Sequence, residues 1–489
     1  MGQQAVESTP EIETTDGIAR YRCGTLSYTK LGLVNLFVWM LWGDFCYVLM
    51  DMLIPTLLPL LLKQHQASNF VIGLLVGSIP AFLDFFLCPI ISTASDRTRS
   101  RWGRRIPYML FTAPFVTLFL VLTGWSDALG QWLHTLPFGP SGTVAATVIV
   151  LLAIFAVGFQ LFNMFVGSVF YYIFADVVPK PLIGRFMSLF RLIGTAAGFV
   201  FKYWIMPMAD NSANMPWIFT GVAGIYLFGC VVMCLMVKEG EYPPPPATGS
   251  RGLRRMADEI CGYFRDCFSV PYYMVLFVAL ALNTTSNTCR VMFNLLFAQH
   301  DLGLSAGAFG RITGIVSLTM LAAYIPLGWL VDKFHPLRIF ILGAMLIILA
   351  NVFGFFCCHD YGSFCVVCFL VSGTYVLQNA SELPLTVRLY PADQYGQFCS
   401  AAVMVRSITL IVANAGAGAF IDRFGYRALF IWDFVFTAIA AAMLMVTYRM
   451  WKGYGGDRHY VAPRAKNALA RHRARAGHEN FMVSQEDNP

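Results

Sequence analysis

Three aspartates stand inside the first two long apolar stretches of this sequence, where an ionisable side chain is costly and marks a candidate functional site. Asp44 lies 14 residues beyond Lys30, and Asp84 lies 12 residues before Asp96. If the two stretches are helices of opposite direction, a rise of about 1.5 Å per residue puts both carboxylates at a similar depth. There a carboxylate can bind Na⁺, or hold a proton because burial disfavours its charged form. Asp51 shares the helix face of Asp44, and it lines the same cavity or lies near the lipid headgroups.

Other polar side chains in the apolar stretches suit contact with a polar solute. Arg290 and Asn287 share one stretch, and Arg290 has two possible roles: partner of a buried carboxylate, or direct contact with substrate hydroxyls. Tyr171 offers a ring for stacking and a hydroxyl for hydrogen bonding to a sugar. Lys202 has aromatic neighbours, which suits the membrane interface. Glu382 is expected to pair with Arg388 or Arg406.

A charged turn at residues 95–107 follows the second apolar stretch, and it holds five arginines between positions 97 and 105. Arginines alone would serve as a topological anchor on the cytoplasmic side of a membrane. An anchor needs neither the leading Asp96 nor Gly103. A carboxylate among Arg97, Arg101 and Arg104 can form an ion-pair latch, and a glycine permits a tight turn. We therefore predict a cytoplasmic gate as well as an anchor.

Composition indicates the elements that position these residues. The chain of 489 residues is 57% hydrophobic and only 12% charged, which indicates lipid as the solvent. Its net charge of +7 comes from basic residues in short loops, so a nucleic-acid surface is not expected. Twelve stretches reach the roughly 20 residues that a membrane helix needs. They lie near 33–60, 71–94, 107–124, 144–174, 187–206, 216–237, 271–297, 309–331, 338–358, 363–387, 398–420 and 427–448.

The stretches divide the chain into two bundles of six helices with polar segments around them. We predict an all-α membrane protein with a cytoplasmic N-terminal tail (1–30), a first bundle (31–237), a linker with an amphipathic helix (238–270), a second bundle (271–449) and a basic cytoplasmic tail (450–489). The N-terminus lacks the pattern of a secretory signal. Lysines and arginines favour one side strongly, so both termini are expected in the cytoplasm and the protein in the plasma or inner membrane.

The two bundles are expected to be pseudo-symmetric because they echo each other. The segment at 179–188, which contains Arg185, matches 391–400 at an offset of 212 residues. The charged turn matches the segment that ends in Asp332 and Lys333, again after the second helix of its bundle. Six plus six helices in parallel repeats is the plan of the major facilitator superfamily. Asp332, Lys333 and Arg185 join the predicted cytoplasmic gate.

Within that superfamily, the sequence resembles the glycoside–pentoside–hexuronide:cation symporters, such as melibiose permease and plant sucrose transporters. The turn from Asp96 resembles that family's signature, and Asp44, in Trp-Gly-Asp-Phe, is similar to its sugar-binding element. The family also has two aspartates four residues apart for the cation, whereas this chain has Asp84 and Cys88. The resemblance implies sugar uptake coupled to H⁺ or Na⁺. The loss of one oxygen ligand favours H⁺.

Other function classes stay open at this point. The chain could be a proton-coupled exporter, a transporter of another small organic solute, or a sensor of the same fold. A sensor would be expected to carry a folded output domain, and the tail is short and basic. A membrane enzyme is disfavoured because the sequence has no Walker loop and no metal-ligating cluster. We expect a monomer in contact with lipids and a small-molecule substrate, without cofactor, metal or nucleic acid.

Overall fold

The computed structural model describes residues 12–15, 18–23, 25–136, 142–179, 182–240, 263–265, 267–391 and 394–463. Most of the predicted linker helix lies outside these residues, although 263–265 and 267–268 are helical. The predicted basic tail lies outside them from residue 464 onward.

In the described part of the chain, nine α-helices precede the gap at 241–262. They are α1 (Lys30–Asp51), α2 (Leu53–Gln64), α3 (Asn69–Gly73), α4 (Ile79–Arg97), α5 (Ile106–Gly124), α6 (Ser126–Thr135), α7 (Val144–Val177), α8 (Ile183–Val200) and α9 (Met215–Met236). Two of the predicted spans contain a π-helical segment, Leu74–Ser78 between α3 and α4, and Phe201–Ile205 after α8. The second leads into the 3₁₀ turns Met206–Asp210 and Ser212–Asn214.

Among the described residues, seven α-helices follow residue 270. They are α10 (Pro271–His300), α11 (Ala306–Lys333), α12 (Pro336–Cys357), α13 (Tyr361–Leu389), α14 (Tyr395–Phe424), α15 (Leu429–Gly453) and α16 (Gly456–His459), with a 3₁₀ turn at Tyr426–Ala428 before α15. We call the helices up to α9 the first half and the helices from α10 the second half. The prediction of a mostly helical, multi-pass membrane protein is confirmed.

Eleven stretches of the described chain are long and apolar enough to cross a membrane. The remaining predicted span is α10, which is long enough at 30 residues but is the least apolar of the predicted spans because it carries Arg290 and several asparagines and threonines. The predicted spans match helices to within a few residues at most ends. The short α6, between the third and fourth spans, was not predicted.

Helix ends follow ordinary capping chemistry. Proline stands in the first turn of α5, α9, α10 and α12, where its missing N–H costs no hydrogen bond. Asp360 begins α13 with a capping box, in which its carboxylate accepts from the Ser363 N–H and the Ser363 hydroxyl accepts from the Asp360 N–H. Many large apolar side chains on the outer helix faces are exposed, for example Phe356 and Leu349, as expected where lipid is the solvent.

Three short antiparallel strands precede α1, a feature that was not predicted. They are β1 (Ile12–Thr15), β2 (Ile18–Cys23) and β3 (Leu26–Tyr28), in the order β1-β2-β3. The Cys23 thiol lies 3.4 Å from the carbonyl oxygen of Asp176 and 3.5 Å from that of Val178. The strands therefore pack against the end of α7.

Consecutive spans run in opposite directions, so the bundle has two ends. We call the end with residues 65–68, 211–214, 301–305 and 425–428 the sealed end, and the end with the N-terminal strands and the charged turn the basic end. Toward the sealed end the halves are joined by direct hydrogen bonds. The Ser78 hydroxyl, for example, donates to the Ile411 carbonyl at 2.6 Å and accepts from the Ala415 N–H at 3.0 Å.

Candidate functional site

Two adjacent cavities lie between the halves. The first, of about 580 Å³, is lined by Met52, which joins α1 to α2, by residues of α2, α8, α10, α11 and α13, and by the π segment and the 3₁₀ turn that follow α8. The second, of about 520 Å³, is lined by residues of α2, α4, α7, α10 and α14 with the π segment before α4. Pro55, Asn287, Val291 and Met292 belong to both linings. A space shared by both halves is where this architecture holds a solute.

Arg290 lines the first cavity and belongs to a buried polar network of the second half. Its Nε and Nη2 donate to Asp433 Oδ2 at 3.3 and 3.2 Å, and Nη2 also donates to Asn351 Oδ1 at 2.5 Å. Asp433 Oδ1 accepts from the hydroxyls of Tyr375, at 3.0 Å, and Thr437, at 3.1 Å. Arg290 is 8% exposed and Asp433 is fully buried. The carboxylate partner expected for Arg290 is therefore present, and hydrogen bonds hold the whole group in place.

Asp433 was missed by the sequence reasoning, although one signal was available. It is an acidic residue in the last apolar span, and the cost of such a group should have marked it as Asp44 and Asp84 were marked. Asn287, predicted one helical turn from Arg290, lines both cavities. Tyr375 also lines the first cavity, so the network reaches the space where a solute would sit.

In the first half, the predicted substrate-binding residues lie near one another, and Tyr171 is within electrostatic range of both Asp44 and Asp51. Asp44 is 1% exposed, and its Oδ2 is buried without a hydrogen-bond partner among the described residues. Asp51, at the end of α1, is exposed and accepts a hydrogen bond from Asn163 Nδ2 at 3.0 Å. Tyr171 is 52% exposed, and its ring packs edge-on against Phe170. None of the three predicted residues lines either cavity, so they do not form one site with Arg290.

The predicted coupling residue, Asp84, lines the second cavity and is half-buried. The Cys88 thiol, one helical turn away, donates to Asp84 Oδ1 at 2.7 Å and lies 3.3 Å from the Ser168 hydroxyl. Arg406 lines the same cavity and is paired with Glu382, so it is engaged with another carboxylate. Of the two partners predicted for Glu382, the structure has Arg406. Asp84 thus combines access to the second cavity with a hydrogen bond from the Cys88 thiol.

Lys202 occupies a different place from the one expected. Its ammonium group donates to the Ser317 hydroxyl at 2.9 Å, and the side chain lines the first cavity instead of reaching the membrane interface. Its neighbour Trp204 is 57% exposed on the outer surface. The π segment that contains both residues aims one toward the cavity and the other outward.

At the basic end, the arginines of the charged turn meet carboxylates from distant parts of the chain. Arg104 makes a bidentate pair with Asp176 at the end of α7, in which Nε lies 3.0 Å from Oδ2. Arg105 Nε lies 3.2 Å from the same oxygen, and Arg105 also bonds to Ser95. Neither Asp176 nor Arg105 was assigned to the gate from the sequence.

Glu239, which follows α9, fixes the start of α5. It accepts from the backbone N–H groups of Arg104, Arg105 and Ile106 at 2.7–3.1 Å. Burial raises the pKa of Glu239 above its ordinary range, while the three N–H donors act in the opposite direction. Gly103 has a φ of +104°, and a Cβ there would overlap the Glu239 side chain. The predicted need for glycine therefore has a steric cause as well as a conformational one.

The other predicted gate residues are dispersed. Arg101 and Arg185 are exposed, and Lys333 is exposed with its ammonium 4.9 Å from the Trp329 ring centroid. Asp96, Arg97 and Asp332 lie in helices, but their side chains are outside the described part of the structure. The described latch is thus Arg104 and Arg105 with Asp176 and Glu239, all within the first half.

Comparison with known proteins adds a family and several relatives. A family model described as MFS/sugar transport protein matches residues 40–446. The chain is 28% identical over 151 residues to human solute carrier family 45 member 4, which covers 29% of this chain and 19% of that protein. It is 34% identical over 87 residues to the mouse membrane-associated transporter protein, which covers 18% of this chain and 15% of that protein. The matched segments therefore span less than a fifth of these relatives.

Solved structures share the fold over most of the chain. A bacterial homologue of the human lysosomal transporter Spinster, inward-facing and occupied, has a TM-score of 0.62 at 14% identity, over 86% of this chain and 97% of its own. A D-xylose–proton symporter has a TM-score of 0.55 at 15% identity, with the same coverage. At such identities the likeness shows the fold alone.

Proposed function

The chain belongs to the family of MFS/sugar transport proteins, and we propose that it is a secondary transporter that moves a sugar or glycoside together with H⁺ by alternating access. The observation that carries this proposal is the pair of cavities between the halves, lined by hydroxyl, amide and charged side chains. The cavity volumes, about 580 and 520 Å³, are in the range of small-molecule sites. The sugar-transport description of the family model and the D-xylose–proton symporter among structures of the same fold support the substrate class.

Asp84 is the proposed coupling group. Its carboxylate borders the second cavity and holds a hydrogen bond from the Cys88 thiol. A thiol is a poor ligand for Na⁺, which prefers oxygen, so the Asp84–Cys88 pair favours a proton as the coupling ion. Arg406 lines the same cavity but forms its ion pair with Glu382. It is therefore not proposed as the partner of Asp84.

Substrate contact is proposed for Arg290 and Asn287, which line the first cavity. Arg290 is held in place by Asp433 and Asn351, and fixed donors suit the hydroxyls of a sugar. Asp44, Asp51 and Tyr171 stay candidates for another state of the cycle. For Asp44, the buried Oδ2 without a partner is a reason to expect a ligand or a proton there at some stage.

The proposed orientation puts the basic end in the cytoplasm, with both termini there and the protein in the plasma or inner membrane as a monomer. The lysine and arginine bias of the loops supports it. Arg101 and Arg185, both exposed at that end, are placed to meet the anionic inner leaflet.

Uptake in proteoliposomes tests the function. Radiolabelled mono- and disaccharides are offered with an imposed proton gradient or an imposed sodium gradient. We expect accumulation of at least one sugar with the proton gradient alone. Accumulation that requires Na⁺ and moves no protons would overturn H⁺ coupling, and failure of the whole sugar panel would point to another organic solute.

The Asp84→Asn variant tests the coupling site. It should abolish uphill accumulation of substrate but leave the exchange of external for internal substrate intact. Asp457→Asn is the matched control, because Asp457 is an exposed carboxylate paired with Arg338 on the surface at the basic end. Uphill accumulation that survives in Asp84→Asn would show that another group carries the proton, and Asp44 would be the next candidate.

A further inference from the structure

Two junctions at the sealed end join the halves in the same way. In the Asp422 junction, α3 meets the end of α14, which carries Asp422. In the Asp210 junction, the 3₁₀ turn Met206–Asp210 meets the start of α11. In each junction, a span of one half ends beside the first turn of a span of the other half.

The Asp422 junction satisfies the first backbone donors of α3, which have no partner inside the helix. Asn69 N–H and Phe70 N–H donate to the two carboxylate oxygens of Asp422, both at 2.9 Å. The next donor, Val71 N–H, bonds to the Ser68 hydroxyl at 3.3 Å. Ser68 is thus a cap from the same half, and Asp422 is a cap from the opposite half.

The Asp210 junction repeats this arrangement with the halves exchanged. Gly307 N–H, in the first turn of α11, lies 3.2 and 3.1 Å from the carboxylate oxygens of Asp210. Ala308 N–H bonds to the Ser305 hydroxyl at 3.1 Å. Each span therefore begins with a serine cap of its own half and a carboxylate cap of the other half, where the negative charge also favours the helix N-terminus.

Both junctions also bring backbones together at glycine. A Cβ on Gly418 would overlap the backbone of Asn69, and a Cβ on Gly310 would overlap the backbone of Lys202. The span of the first half carries a π-helical segment in both places, Leu74–Ser78 and Phe201–Ile205. Such segments are rare and mark places where a helix departs from its regular geometry, frequently at functional sites.

The two carboxylates are exposed at the sealed end. Water can therefore replace the amide donors when a junction opens, so the cost of opening is that of a helix cap and not that of an unpaired buried charge. Bonds of this strength can hold a closed state and still release it within a transport cycle.

We propose that Asp210 and Asp422 form one gate, which holds the sealed end closed by capping helices across the halves and opens at both junctions in a single step. The proposal rests on the proposed alternating-access function. In alternating access each half moves largely as a rigid body, so neither junction can open far while the other stays capped. Asp210 and Asp422 are positioning residues that set how often the sealed end opens.

Hydrogen–deuterium exchange of the purified full chain in lipid nanodiscs, without substrate, tests the gate. In Asp422→Ala, exchange at Asn69 and Phe70 should rise about fivefold, the ratio that corresponds to the loss of one typical cap. Exchange at Gly307, in the junction that was not altered, should rise by a similar factor. Asp210→Ala should give the reciprocal result.

Asp360→Ala is the matched control, because Asp360 is also an exposed carboxylate cap but lies within one half. Its effect should stay in the first turn of α13. If Asp422→Ala changes exchange only around α3, the junctions are independent and the single-step gate is refuted. If Asp422→Ala fails to fold, Asp422→Asn takes its place, because it keeps an acceptor but removes the charge. Faster exchange at Gly307 supports the single-step gate, and unchanged exchange there refutes it.

The gate and the transport function can fail separately. Exchange requires no substrate, so coupled junctions in a chain that moves no sugar would leave the gate intact and refute the proposed substrate. If the chain takes up sugar with protons but hydrogen–deuterium exchange at one junction does not affect the other, the single-step gate is refuted and the transport function stands.

Discussion

Breaking the buried pair of Arg290 and Asp433 should destabilise the protein strongly. Asp433→Asn keeps the shape of the side chain but leaves the Arg290 guanidinium buried without a carboxylate. Removing one partner of a buried ion pair costs about 3–5 kcal/mol, because the remaining charge is uncompensated. We expect a decrease of that size in the free energy of unfolding, since Asp433 is fully buried and Arg290 is 8% exposed.

The double variant Arg290→Met, Asp433→Leu should recover part of this stability, because it removes both buried charges. Recovery is partial, since the Tyr375 and Thr437 hydroxyls lose their acceptor. Unfolding of each variant in mixed detergent micelles provides the measurement. The matched control is Arg338→Met, which breaks the exposed pair with Asp457 and should cost less than about 1 kcal/mol. If Asp433→Asn costs no more than the control, or if the double variant is as unstable as the single variant, the argument from buried charge is wrong.

The folded double variant also separates the two roles that the sequence left open for Arg290. Transport that survives in it would assign Arg290 to structure alone. Loss of transport in a stable protein would support the proposed contact between Arg290 and the substrate in the first cavity.

Two further predictions concern the coupling ion and pH. The Cys88→Asp substitution places a second carboxylate beside Asp84. Uptake driven by a sodium gradient should appear in this variant but not in the control Cys88→Ser, because Na⁺ prefers oxygen ligands. If neither variant shows it, further Na⁺ ligands are missing. Burial, assisted by Arg388 and Arg338, lowers the pKa of His335 from 6.5 to about 4, and the neutral ring accepts from the Leu337 N–H at 3.3 Å. The pKa of His335 is lower in the folded protein than in the unfolded chain. The stabilisation that the neutral ring provides is therefore present above pH 6.5 and is lost as the pH falls toward about 4. The His335→Asn variant keeps a helix cap that does not titrate. The difference in melting temperature between the wild type and this variant should decrease as the pH falls from 6.5 to about 4. A difference that stays constant would contradict the role given to the neutral His335 ring.

The helices could be predicted from the sequence because each is specified by its own residues. The third span, expected at 107–124, is α5 at Ile106–Gly124, and the fourth, expected at 144–174, is α7 at Val144–Val177. Length and apolar composition are enough for such a prediction. The division into two sets of six followed from the polar segment between them.

The contacts between distant residues could not be predicted in the same way. Asp433 lies 143 positions from Arg290, and Asp176 lies 72 from Arg104. Their pairing depends on which helix faces meet, and one sequence without its relatives carries no signal for that. The sealed end was missed for the same reason, since Asp210 and Asp422 look like ordinary loop acids until the other half is brought beside them.

The length of α7 has a consequence for the lipid bilayer. Its 34 residues extend about 51 Å, whereas the hydrocarbon layer is about 30 Å thick. Asp176 stands in the last turn of this helix, so the pair with Arg104 falls at the level of the lipid headgroups. The extra length of α7 therefore carries Asp176 and its arginine partners out of the hydrocarbon layer, in which charged groups are costly.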